Sequence, residues 1–357
     1  MTAPAATVLI DTYNQERFIE EAVESALQQD FPASETEILV VDDGSKDRTA
    51  EIVRKFEPRV RLLRKPNGGQ ASAFNAGIPE ARGEIVAFLD GDDWWKPNKL
   101  SEVIKAFAAN PQAGVVGHGI IQIDDATKEG SILTPETAGY FDMSSAGGAQ
   151  AFRNYMCFLG TSRVAIRRGT LDRVLPVPET LRVEADEFMS AVAVAVQGAV
   201  LLSEPLAFYR LHDDNLYQFR VNDSARLRNK MNALDCLARE LAVRLRELGI
   251  PAEAISIVVD PVRSSVGRMR LVLDGGSPWE TYCLEREDLR HSYSSLGGGY
   301  RAYKHLSLAM ALLMPPRYFY RLRSWYAAKG LRRWRSVLGE PKPMASIVER
   351  RAEASDK

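Results

Sequence analysis

Short apolar runs and helically spaced apolar residues alternate through the first hundred positions. Thr7 to Ile10 reads as a strand, and Phe18, Ile19, Ala22, Val23, Ala26 and Leu27 then recur at helical spacing until Pro32. Ile38 to Val41 is the next strand, followed by a helix through Ile52, Val53 and Phe56. Val60 to Leu63 is a strand, a helix follows Gln70, and Ile85 to Leu89 is a strongly apolar strand. This β-α-β-α order predicts an α/β fold, a doubly wound, mostly parallel sheet flanked by helices. After Asp93 a helix carries Leu100, Val103, Ile104 and Phe107 between Pro97 and Pro111, and Val115-Val116 opens another strand. Residues 139–160, rich in glycine and aromatics without clean periodicity, are expected to be irregular and to line a pocket.

Beyond residue 220 the pattern changes. Met231, Leu234, Leu237, Leu241, Leu245 and Leu248 are three or four apart, with Asn222, Asp223 and Ser224 as caps and Gly249 and Pro251 as the stop. That is a long amphipathic helix, expected to bury its leucine face against the preceding domain or a second copy of the chain. The expected organisation is a sheet domain over 1–220, a smaller C-terminal helical region over 221–340, and a loosely ordered polar tail over 341–357.

Length and composition narrow this little: 357 residues, 45% hydrophobic and 26% charged, with formal net charge −1. Such a balance gives no reason to expect nucleic acid as a partner. Cys157, Cys236 and Cys283 are far apart and form neither a disulfide framework nor a metal pattern, which points to a reducing compartment. No secretory leader is expected, and no apolar run approaches the roughly 20 residues that span a bilayer. The expected location is the cytoplasm, including the inner face of the membrane.

The chemistry lies at the strand ends. Val40-Val41-Asp42-Asp43-Gly44-Ser45, Asn67-Gly68-Gly69-Gln70 and Phe88-Leu89-Asp90-Gly91-Asp92-Asp93 each put acid or glycine directly after an apolar run or at a turn. In an open parallel sheet, the ligand crevice lies at the carboxyl ends of the strands. Two acidic clusters converging there repel unless a cation or a donor-rich ligand sits between them. Asp90, Asp92 and Asp93 offer hard oxygens suited to Mg²⁺ or Mn²⁺ bridging a diphosphate, and as an alternative cap the next helix. Asp42 and Asp43 could accept from a base N–H or ribose hydroxyls, or cap the helix beyond Ser45. Asn67-Gly68-Gly69 lets the backbone approach a ligand closely. Trp94 and Trp95 could stack on a sugar ring or pack beneath the acidic loop.

The order of these segments resembles the family 2 glycosyltransferases of GT-A fold, which use nucleotide-diphosphate sugars. The matching pieces are Asp11-Thr12-Tyr13-Asn14 with Glu16, Val41 to Asp47, Asn67 to Gly77, and Phe88 to Asp93, in the expected order over residues 7 to about 120. The resemblance continues through Ala185-Asp186-Glu187-Phe188 and Tyr209-Arg210-Leu211-His212. It implies an inverting, metal-dependent sugar transfer from a nucleotide-diphosphate sugar, UDP-linked, to an acceptor hydroxyl in cell-surface polysaccharide or glycolipid synthesis. It also implies roles. Asp43 would meet the nucleobase with Tyr13 packed on it, and Asp90 would face ribose. Asp92 would bind the metal, with His212 as a further ligand near the diphosphate beside Arg210. Asp11, Glu16, Asp42, Asn67 and Gln70 belong to the same donor site. The catalytic base would be Asp186 or Glu187.

Departures bear on those roles. Asp11 stands where the family usually has Pro, and Phe74 where it commonly has Arg. The acidic pair runs Asp-Glu rather than Glu-Asp. Counting back from Gly198 favours Glu187, while the Ala-Asp start favours Asp186, the preferred base.

A nucleotidyltransferase is an alternative, but no basic glycine-rich loop follows Ile10. A catalytically silent nucleotide-sugar scaffold is another, against which the acidic pair and Asp92 count. From Arg317 to Arg335 basic and aromatic residues interleave without an acid, a mixture suited to an anionic membrane surface or to packing on the chain's own domain. The expected partners are a nucleotide-sugar donor, a saccharide or lipid-linked saccharide acceptor, a membrane surface and a second copy in a homodimer.

Overall fold

The first strand, β1 (Ala6–Thr12), is apolar on both faces, so it can only sit in the interior of a sheet covered by helices on each side. The structure, a computed structural model, describes residues 3–135, 139–212, 224–292, 298–328 and 345–348. The chain divides into two units. One comprises residues 1–218, 240–255 and 344–357, the other 219–239 and 256–343. The domain boundary expected at 220 falls outside the described residues.

In the first unit, β1 lies between β2 (Thr36–Asp42) and β4 (Ile85–Asp90), and β3 (Arg61–Arg64) extends the sheet beyond β2, all four parallel. Beyond β4 come β8 (Val164–Arg167), β6 (Val115–Asp124), β7 (Gly130–Pro135) and β10 (Ala345–Val348), each antiparallel to its neighbour. The strand β10 lies within the tail expected to be loosely ordered. Off this path, β9 (Ala199–Leu211) runs parallel to β6 and pairs with the short β5 (Trp94–Trp95). This is the expected α/β sheet, with Asp11 directly beside Asp90 in register.

The helices follow from the apolar spacing. In α1 (Ile19–Leu27) the residues Ile19, Ala22, Val23 and Ala26 are buried, packing with Val8, Ile10 and Val40 of the sheet. α2 (Thr49–Arg54), α3 (Gln70–Gly77) and α4 (Lys99–Ala109) fill the crossovers. α5 (Ala146–Tyr155) corrects the expectation of an irregular 139–160 segment. Ser145 caps it, accepting from the Gly148 N–H at 3.2 Å, and Ala149, Phe152 and Tyr155 are its buried side. Glycines and alanines diluted that stripe in the sequence. α6 (Arg168–Val174) and α7 (Ala185–Gln197) complete the set, and α7 ends at Gly198, whose φ of 73° only glycine adopts freely.

The long helix α8 (Ser224–Glu247) forms as its leucine spacing predicts. Leu237, Leu241 and Leu245 are fully buried within the single chain. In the second unit, α9 (Ala252–Leu273), α10 (Pro278–Ser292), α11 (Gly298–Leu313) and α12 (Pro316–Ala328) bury Leu271, Ala311, Phe319 and Tyr320 together. The buried Glu285 accepts from Arg268 Nε at 3.1 Å and from Tyr320 Oη at 3.2 Å, and pairs with Arg323. Part of the basic and aromatic stretch is therefore committed to internal packing. Its members from Lys329 to Arg335 lie outside the described residues.

Candidate active site

Because β1 and β4 are register neighbours, Asp11 and Asp90 end side by side at the carboxyl edge of the sheet. A cavity of about 1050 Å³ opens there, lined by both residues and by Tyr13, Glu16, Asp43, Asn67, Gln70, Asp92, Asp186, Glu187 and His212. Eleven of the thirteen residues singled out from the sequence thus come together. Asp42 and Arg210 do not line it.

The acidic loop after β4 is held from behind. The Asp90 N–H donates to Ser162 Oγ at 3.0 Å, and that hydroxyl donates to Asp93 Oδ2 at 2.6 Å. The Arg210 N–H donates to Asp93 Oδ1 at 2.9 Å. Asp93 is therefore buried and structural, while Asp90 and Asp92 reach the cavity. One oxygen from each of Asp90, Asp92 and Asp93 lies within 4.8 Å of the others. His212 Nε2 lies 3.1 Å from Asp92 Oδ2, and its ring packs on Phe18 with centroids 4.7 Å apart.

The electrostatics record the crowding. Burial, then the charges of Asp186 and Asp92, push the Asp11 carboxyl up to about 8. Burial and the neighbouring Asp11, Asp93, Asp92 and Asp186 hold Asp90 well above the usual carboxylate range. Burial and Asp92 push Asp93 up to about 8. Asp11 Oδ1 is buried and accepts no hydrogen bond. Converging hard oxygens that repel one another are the donor set a small divalent cation fits, so Mg²⁺ or Mn²⁺ is compatible with the residues present.

Two assignments are corrected. Asp42 is fully buried and turned away from the cavity, accepting from the Ser45 N–H at 2.8 Å and pairing with Arg64 Nε at 3.1 Å. Successive strand residues face opposite sides, so Asp42 and Asp43 cannot share the crevice. Arg210 likewise alternates with Tyr209, which does line the cavity. The Arg210 guanidinium is buried, bonded to the Asp92 carbonyl at 2.9 Å and to Asp125 at 3.1 Å, and paired with Glu21. It stacks over Trp94 at 4.4 Å and over Phe18 at 4.8 Å. These contacts support the acidic loop, and Arg210 is not among the residues that line the cavity.

Trp94 also stacks on Phe208, rings 4.9 Å apart and nearly parallel, and Trp95 is buried with its Nε1 donating to the Ser162 carbonyl at 3.0 Å. Neither lines the cavity, so both have the packing role.

The Asn67-Gly68-Gly69 loop, whose Asn67 and Gly69 line the cavity, is also held closely against neighbouring protein. The Gly69 N–H donates to Asp43 Oδ2 at 2.7 Å, the Gly68 N–H to Oδ1 at 3.0 Å, and Lys65 Nζ to Oδ1 at 2.7 Å. Asn67 Nδ2 adds a donor at 3.0 Å, so this carboxylate is already fixed by its own loop. On the other side, Arg182 donates to Asn67 Oδ1 at 2.7 Å, and the Gln70 and Ala185 amides exchange bonds with the Arg182 carbonyl and Gln70 Oε1. A Cβ on Gly69, whose φ is 88°, would stand 2.8 Å from Arg182 Cα. The loop braces residues 182–185, which launch α7.

At the start of α7, Asp186 Oδ2 accepts from the Thr161 N–H at 3.4 Å. Its Oδ1 is buried and accepts no hydrogen bond. Glu187 also lines the cavity. Sequence reasoning assigned no site role to Thr161, Arg163 or Tyr209, which line the cavity, or to Ser162, which holds the acidic loop from behind. Ser162 sits at φ 69°, and its segment precedes a strand of only four residues, too short to stand out by alternation.

Comparisons with known proteins bear on the family and the fold. Residues 7–169 match the family described as Glycosyl transferase family 2. The chain is 34% identical over 220 residues to an uncharacterized glycosyltransferase of Nostoc sp., a match covering 58% of this chain. It spans 65% of that relative, less than two thirds of its own length. Among solved structures, the chain resembles S. aureus TarS 1–349 in complex with UDP-GlcNAc. The TM-score is 0.53 at 20% identity, over 81% of this chain and 91% of that one. It also resembles the mannosyltransferase PcManGT from Pyrobaculum calidifontis in complex with GDP-Man and Mn²⁺. There the TM-score is 0.50 at 20% identity, over 94% of this chain and 88% of that one. Likeness at that identity establishes the shared fold.

Proposed function

We propose, from the match of residues 7–169 to glycosyl transferase family 2, that this chain transfers a sugar, with inversion, from a nucleotide-diphosphate sugar to an acceptor hydroxyl. The observation that carries the reading is the convergence of Asp11, Asp90, Asp92, His212 and Asp186 on one cavity at the carboxyl ends of β1 and β4. Asp92 and Asp90 would hold Mg²⁺ or Mn²⁺, with His212 beside them. When bound, that cation supplies charge neutralisation for the departing diphosphate. Asp43 and Asn67 form the floor on the nucleotide side, and Tyr13, exposed at the cavity rim, offers an aromatic face to the base.

Asp186 is the base. As the acceptor oxygen attacks the anomeric carbon, the bond from that carbon to the diphosphate oxygen breaks and the acceptor proton passes to the Asp186 carboxylate. A single displacement needs no covalent sugar intermediate, and the configuration inverts. The Thr161 N–H fixes one carboxylate oxygen of Asp186 while the other has no hydrogen-bond donor of its own, which suits a group that must accept a proton.

A UDP-linked donor is supported by the likeness to a UDP-GlcNAc complex, and the cation by the likeness to a Mn²⁺ complex. The acceptor is a saccharide or lipid-linked saccharide of cell-surface polysaccharide or glycolipid synthesis, reached at the inner membrane face. No helix among the described residues is long and apolar enough to cross a membrane.

Incubation with a panel of UDP- and GDP-sugars, Mn²⁺ or Mg²⁺ and candidate acceptors tests the reading. Nucleoside diphosphate release that depends on the acceptor, stops in a chelator and yields the inverted linkage is the expected result. Pyrophosphate release would instead identify a nucleotidyltransferase. Donor binding without turnover across the panel would favour a silent scaffold.

A further inference from the structure

The helix α11 presents opposite faces of different character. Leu308 and Ala311 are buried in the second unit, while Ala302, Leu306, Ala309 and Leu313 are exposed at spacings of four, three and four residues. That spacing is one continuous stripe along an α-helix. Leu306 is 62% exposed and Leu313 83% exposed, an unusual disposition for leucine on an ordered helix. Just beyond the Pro315-Pro316 turn, Tyr318 at the start of α12 is 65% exposed, and Arg321 one turn later is also exposed.

Charge indicates what this stripe meets. From residue 289 to 339 the sequence holds ten Lys or Arg and no Asp or Glu. Of these, Arg323 pairs with Glu285, Arg317 bonds to the Val272 and Leu273 carbonyls, Lys329 to Arg335 lie outside the described residues, and Arg321 is exposed beside the stripe. A second copy of the same face would bring like charges together, and an ordinary apolar groove would not need them. An anionic lipid surface takes both features at once. Leucines and a tyrosine enter the headgroup boundary, while arginines stay among the phosphates.

We propose that the exposed face of α11, continued by Tyr318 and Arg321 of α12, is a docking surface for an anionic bilayer. This deepens the proposed function, because a transferase held on such a surface meets lipid-borne acceptors at high local concentration. The docking itself requires no turnover and is measured without it.

The experiment is cosedimentation of the full chain with vesicles of phosphatidylcholine alone or mixed with phosphatidylglycerol. Binding only to the mixed vesicles, weakening as salt is raised, is the expected result. The double substitution Leu306→Glu with Leu313→Glu should lower that binding at least tenfold. Arg321→Glu should lower it by about fivefold or more per charge removed. Both variants should keep the wild-type melting temperature, since the altered side chains are already in water, and the wild-type rate of nucleoside diphosphate release with a soluble acceptor. Equal binding to neutral vesicles, or unchanged binding by the leucine variant, would overturn the proposal. So would a wild-type dimer in solution that Leu313→Glu converts to monomer, since the stripe would then be a self-interface. Vesicle binding without any transfer in any assay would leave the docking standing and count against the transferase reading alone.

Discussion

His212 Nε2 stands 3.1 Å from Asp92 Oδ2, although 120 residues separate them in the chain. The end of β9 thus delivers an imidazole to the acidic loop after β4. If that pair holds a divalent cation, its two members should fail differently. Asp92→Ala removes an anionic ligand and should abolish metal-stimulated transfer while leaving the melting temperature nearly unchanged. His212→Gln should raise the metal concentration for half-maximal rate by about ten- to a hundredfold, the usual cost of losing a supporting partner, with the rate recovering at saturating metal. Full activity of Asp92→Ala, or of the wild type in a chelator, would end the metal role.

The repulsion around the site should appear in stability. Asp11 and Asp93, pushed up to about 8, keep their protons in the folded state over a range where the unfolded chain has lost them. Between the ordinary carboxylate value near 4 and about 8, the native state therefore binds more protons than the unfolded one, and stability falls as pH rises. In chelator, the melting temperature should decline across that window. Asp11→Asn should flatten the decline, and Mn²⁺ should restore stability most at the alkaline end. A melting temperature that rises from pH 5 to pH 8 without metal would contradict the arrangement.

Much of this site was legible because a strand ends where its apolar run ends, and acids or glycines there mark the crevice. The legible unit was the segment, not the side. Asp42 and Asp43 are one residue apart, yet strand alternation buries the first behind the sheet and turns the second toward the cavity. Arg210 suffers the same ambiguity beside Tyr209. Its pairing with Glu21 and Asp125 joins positions 189 and 85 residues distant, which no local pattern encodes. The helix α5 was hidden for another reason, since its buried side relies on Ala149 ahead of only two aromatics, Phe152 and Tyr155, and its cap on a single serine.

The bracing of α7 by the glycine loop can be tested away from the chemistry. Gly69 combines a φ of 88° with a backbone neighbour 2.8 Å from where a Cβ would sit, so alanine must displace either itself or Arg182. The cost should reach catalysis because residues 182–185 set the start of the helix carrying Asp186. Gly69→Ala should lower kcat by about a hundredfold, as expected for a displacement near 1 Å, with a smaller change in donor affinity. Unchanged kcat with weakened donor binding would mean that the loop serves the nucleotide directly.

The two adjacent carboxylates at the start of α7 make the sharpest comparison. Both line the cavity, but consecutive residues on a helix project about a quarter-turn or more apart, so one acceptor hydroxyl cannot be shared in a single reactive pose. Asp186 has one oxygen fixed by the Thr161 N–H and another without a donor, and its charge is the largest electrostatic influence on Asp11. It therefore faces the centre of the acidic cluster, where the anomeric carbon must lie if the diphosphate is held by Asp92. Asp186→Asn keeps shape and polarity while removing basicity, and it should cut kcat by at least about a hundredfold with donor affinity nearly unchanged. Glu187→Gln should cost far less. Equal losses would indicate that the pair acts through shared positioning of the acceptor. A reversed order would transfer the role to Glu187, and wild-type rates in both variants would place the base outside α7.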